Sequence, residues 1–155
     1  MSKNGGVSGG CPWKRRRNMN EQVLLTDKIH AFSRKHDYDN QVIIEQNLSN
    51  KNELDFNDFI EFGKRMASKI VFNEDRVSDD IFAIFSEANS ISALSNPNFK
   101  IDSKIFNTYT TFLKKHIQNP NDHSLVKLCT QYETDEDEII HQIPHFMFPI
   151  VHLYK

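Results

Sequence analysis

Cysteine is nearly absent. The chain holds two in 155 residues, Cys11 and Cys129, too few for a disulfide framework and not a C-x-x-C pair. Glycine is as scarce: four of the five lie in Met1–Gly10, so no Gly-rich phosphate loop and no nucleophile elbow is present. No apolar run is long enough for a membrane span, and the N-terminus lacks the apolar core of a signal peptide. A cytoplasmic location is the resulting expectation. Charge of one sign is also missing. A net −2 gives no general attraction to nucleic acid or acidic lipid. Apolar residues make up 38% and mean hydropathy is −0.59, which is poor core material, although Phe supplies 12 residues.

What is present is helical periodicity. Residues 1–11 read as a flexible tail and 12–155 as one helical domain of about six helices, all-α, with no internal repeat and no pair of strands. Pro12 suits a first helical turn, and the helix it opens is expected to run from Trp13 to about Thr26, with Trp13, Val23, Leu24 and Leu25 as apolar positions. A second is expected from about Asp37 through Val42, Ile43 and Ile44 to Leu48. Asp55 reads as the N-cap of a third, whose stripe is Phe56, Phe59, Ile60, Gly63, Met66 and Ile70. Ser78 caps a fourth, with Val77 and Phe82 as a hydrophobic staple and Ile81, Phe82, Phe85 and Ala88 inward. A fifth starts near Asp102, buries Ile105, Tyr109, Phe112 and Leu113, and ends at Asn119-Pro120-Asn121. A short helix from Ser124 to Gln131 follows.

The last stretch, from Thr134 to Lys155, is the most apolar. Thr134 is placed to cap it, and Asp135, Glu136 and Asp137 suit the positive helix start. Ile139, Ile143, Phe146, Ile150 and Leu153 form one stripe, broadened by Met147, Phe148 and Val151. A helix apolar nearly all round belongs inside a larger body, so the pattern reads as a helix cut off in mid-course. It is expected to be the longest or second-longest in the chain.

Three clusters carry chemistry. In Trp13-Lys14-Arg15-Arg16-Arg17, Trp13 and Arg17 stand four apart on one helix face, where an indole N–H and a guanidinium can bind one anion. A solvated basic turn beside a core Trp is the plainer reading. His141 and His145 have a metal-binding spacing, but no third ligand is placed near them and Pro144 lies between. The acidic run Glu133–Glu138 reads as a charged helix start rather than as catalytic carboxylates.

Taken together, the segments resemble the first half of the cytochrome P-450 family of haem-thiolate monooxygenases. Trp13 and Arg17 match the Trp-x-x-x-Arg of its C-helix. ELDFNDFIEFGKRMASKIVFNED, from Glu53, resembles its E-helix and following turn, and SDDIFAIFSEANS its F-helix. SLVKLC resembles the short helix before the I-helix, and DEDEIIHQIPHFMFPI the opening of the I-helix. The resemblance implies a haem cofactor with its iron, a propionate held by Trp13 and Arg17, a small organic substrate, O2 and a redox partner. It also shows departures. The small-residue oxygen groove falls on Phe148 and Pro149, and the acid–alcohol pair on Val151 and His152. Neither the Glu-x-x-Arg motif nor the Phe-x-x-Gly-x-x-x-Cys loop is in the sequence, and Cys11 does not fit that loop. A non-catalytic fragment is therefore expected, with self-association through exposed apolar helix faces. No catalytic and no metal-ligating residue is assigned. The alternative is a helical interaction module that docks through its apolar last helix.

Overall fold

In a computed structural model of the chain, residues 11–24, 27–49, 51, 53–88, 102–133 and 135–152 are described; the side chains of 11–13, 27–34, 36, 47–48, 87–88 and 148–152 lie outside the description. Seven helices and no strand occur among the described residues: α1 (Cys11–Leu24), α2 (Asp27–Leu48), α3 (Phe56–Phe72), α4 (Asp79–Ala88), α5 (Ser103–Gln118), α6 (Leu125–Tyr132) and α7 (Glu136–His152). The all-α class is as the periodicity implies. The tail ends one residue earlier than expected, because Cys11 is already helical. Helix α2 starts ten residues before Asp37 and is the longest at 22 residues; α3 and α7 follow with 17 each.

Local chemistry sets most of the helix ends. The Asp55 carboxylate accepts from Asp58 N–H while the Asp58 carboxylate accepts from Asp55 N–H, a reciprocal capping box at the start of α3. Asp102 accepts from the N–H groups of Lys104 and Ile105, and Ser124 from that of Lys127. Asn73 closes α3 in a left-handed conformation (φ 53°) that Asn tolerates. Val77 and Phe82 are both buried where the staple was expected. Thr134, the expected cap of α7, lies outside the described residues; there Asp135 accepts from the N–H of Asp137.

Helix α7 forms the centre of the core. Helices α3, α4, α5 and α6 all pack against it, α2 lies on α3, and α1 lies on α6. Ile139, Ile140, Ile143, Phe146 and Met147 of α7 are buried with Val71 and Phe72 of α3, Phe85 of α4, Leu113 of α5, and Leu128 and Cys129 of α6. Aromatic rings meet edge to face, Phe72 with Phe112 at 5.2 Å and Phe85 with Tyr109 at 5.5 Å.

The α3 stripe is exposed at its start, as expected of an apolar helix face left uncovered. Phe56 and Phe59 are exposed; Gly63 of the stripe is buried, together with Ala67, Ser68, Val71 and Phe72, which the stripe did not include. Small side chains on that face let α3 sit close to its neighbours, while Phe56 and Phe59 fall in its first turn. Of the other apolar positions, Leu24 and Ile44 are exposed, while Val23, Ile43 and Met19 are buried.

Polar groups inside are tied down. Ser68 donates to the Lys64 carbonyl (2.8 Å) and accepts from Val77 N–H (2.9 Å), which fixes the α3–α4 turn. Tyr109 of α5 donates to the carbonyl of Ile140 in α7 (3.2 Å). That carbonyl has no intrahelical donor, because the residue four positions on is Pro144.

Candidate functional site

Successive residues of a helix point about 100° apart, so Arg15, Arg16 and Arg17 of α1 leave in three directions. Arg15 reaches the α6–α7 junction, where its Nε and Nη2 donate to the two oxygens of Glu133 at 2.7 and 2.6 Å. The bond to Glu133 raises the guanidinium pKa. Arg16 turns inward: it is 2% exposed, and its Nε donates to Glu138 of α7 at 2.6 Å. Arg17 turns outward, 62% exposed, and donates to Glu21 one turn along at 2.8 Å. Trp13 stands one turn before Arg17 in α1; its side chain lies outside the described residues.

The structure therefore gives the two charge runs one shared role. Glu133 and Glu138 are not only a charged helix start; they receive Arg15 and Arg16 across 118 and 122 residues of sequence. No local pattern carries that pairing.

On the α7 side, Glu138, His141, Gln142 and His145 follow one another at steps of three, one and three. Burial, then the Arg16 charge, then His141 hold the His145 imidazole below its ordinary 6.5. A neutral imidazole can bind a metal, yet among the described residues no three His, Cys, Asp or Glu side chains gather in a metal-binding group. Cys129 is fully buried in α6, and burial pushes its thiol up to about 12, so it is neither nucleophile nor ligand at neutral pH.

For the haem that the resemblance implies, the described side chains offer one candidate contact, at the propionate end. Arg17 offers an exposed guanidinium to a carboxylate. No described side chain supplies a thiolate to iron, and the residues aligned with the oxygen groove and proton relay, Phe148, Pro149, Val151 and His152, have side chains outside the description. A shallow groove at the start of α5, lined by Ser103, Lys104, Asn107, Thr108 and Thr111, holds no acid–base pair.

Comparison of the chain with protein-family models, with curated proteins and with solved structures finds no match.

Proposed function

We propose that these residues form the propionate-binding side of a cytochrome P-450-type fold and do not themselves carry out monooxygenation. The support is the order of the helices. Helices α1, α3, α4, α6 and α7 fall in sequence on the five segments that resemble the family's C-, E- and F-helices, the short helix and the I-helix. Arg17 keeps its guanidinium at the surface while its neighbours Arg15 and Arg16 anchor the helix beneath it. Bound there, haem would supply the redox-active iron; Arg17 would neutralise one propionate. Neither a redox partner nor an organic substrate is assigned a residue.

Haemin titrated into the chain, followed by reduction under carbon monoxide, tests this reading. A charged hydrogen bond to a propionate contributes about 1.5–3 kcal/mol, small beside the cost of association. Weak binding is expected, about tenfold or more weaker in Arg17→Ala and weaker in Trp13→Ala, with no thiolate-type carbon-monoxide band. Unchanged affinity in both variants would remove the propionate assignment. A stoichiometric thiolate band lost on Cys11→Ser would reverse the inactive reading.

A second reading, a helical interaction module, is favoured by the exposed Leu54, Phe56 and Phe59 at the start of α3. The described part of α7 is already covered by this chain's own helices, so α3 is the better docking face.

A further inference from the structure

The seam between α1 and α7 holds polar atoms that its own bonds do not use. The Arg16–Glu138 contact fixes which faces meet. Asn20 lies one turn past Arg16 on α1, and Gln142 one turn past Glu138 on α7, so both share those faces. Gln142 is 3% exposed, and its Oε1 has no hydrogen-bond partner among the described residues; the buried Oδ1 of Asn20 is in the same position. Turning either amide over does not help, because the buried end is then an NH2 group in need of an acceptor.

We propose that an ordered water molecule is bound at Gln142 in this seam. Water donates and accepts, so it serves the amide in either orientation. An anion would meet the Glu138 carboxylate, and a cation the Arg16 guanidinium. The neutral His145, three residues past Gln142, adds a ring that can donate or accept without adding charge. Being neutral, the water adds no third ion to the interior.

Two measurements on the whole chain test this. A crystal structure that resolves ordered solvent is expected to show a water within hydrogen-bond distance of the Gln142 side chain; a protein group in that place, or a dry contact, overturns the proposal. In urea unfolding, Gln142→Leu and Gln142→Met are each expected to raise the unfolding constant about five- to thirtyfold, because the water loses a partner. In a dry seam the same changes remove an orphaned amide and lower it. A constant unchanged or lowered in either variant overturns the proposal, the two shapes guarding against simple misfit of one.

Discussion

Tyr109 supplies the hydrogen bond that Pro144 cannot. Its hydroxyl reaches the Ile140 carbonyl at 3.2 Å from another helix, at the point where the α7 ladder lacks a donor. The buried Tyr109 phenol, its pKa raised by burial, stays protonated and able to donate. Tyr109→Phe is expected to cost about 1–2 kcal/mol, the price of one unsatisfied buried carbonyl. In a Pro144→Ala background the restored N–H serves Ile140, so the same change should cost clearly less. Urea melts of the four proteins measure the coupling; equal costs in both backgrounds would show that the two residues act independently.

The three arginines of α1 should rank by burial. Arg16→Met leaves Glu138 buried without its charge partner and is expected to cost about 3–5 kcal/mol. Arg16→Met with Glu138→Leu should recover most of that. Arg17→Ala breaks an exposed pair and is expected to cost under about 1 kcal/mol. Thermal melts at fixed salt give the order; an Arg17 effect as large as that of Arg16 would contradict the burial argument.

Much of this architecture was legible locally. Asp55 was readable as a cap, and Asp102 and Ser124 as helix starts, because a helix start needs only its own next three residues. The early start of α2 was not, since residues 27–36 carry no regular apolar stripe. On α3 the packed face was legible only in part, for a related reason: Phe56 and Phe59 carry a strong apolar signal, and the buried Ala67 and Ser68, off the stripe, a weak one. At the candidate site, Arg17 was singled out by Trp-x-x-x-Arg spacing. The partners of Arg15 and Arg16 were missed because they lie more than a hundred residues away.

Acid should loosen the α1–α7 seam. The folded-state pKa of His145 lies below its ordinary 6.5. Above that ordinary value the ring is neutral in both states and contributes no pH dependence. As pH falls below it, the unfolded chain takes up the proton first, so stability drops until the folded-state pKa is passed. Urea midpoints are expected to fall between pH 7.5 and 5.5, and to fall less in His145→Gln. An identical drop in the variant would assign the acid sensitivity to other groups.

Cys129 should be silent toward thiol reagents. Its burial and raised pKa leave almost no accessible thiolate at pH 8. Iodoacetamide labelling of the peptide carrying Cys129, followed by mass spectrometry, should be slow in buffer and fast in denaturing urea. Rapid labelling in buffer would mean that α6 opens without global unfolding.

Phe56 and Phe59 should govern self-association without governing the fold. Both are exposed, 59% and 46%. Phe56→Glu with Phe59→Glu is expected to shift stability by only about 0.5 kcal/mol per site and to reduce any concentration-dependent dimer or aggregate seen by sedimentation. Loss of the cooperative melt would show that these rings are part of the core after all.

The pairing of Arg16 with Glu138 has a consequence for the order of events during synthesis. The first helix is made early, yet its interior ion partner is 122 residues away. At roughly 5–20 residues per second, on the order of ten seconds pass between the emergence of one partner and the other. Through that interval Met19 and Val23, which end up buried, have no α6 or α7 to lie against, and Arg16 has no carboxylate from α7. Helix α1, made before the other described helices, is thus among the last of them to be docked, and closing so long a loop is the kind of step that slows folding.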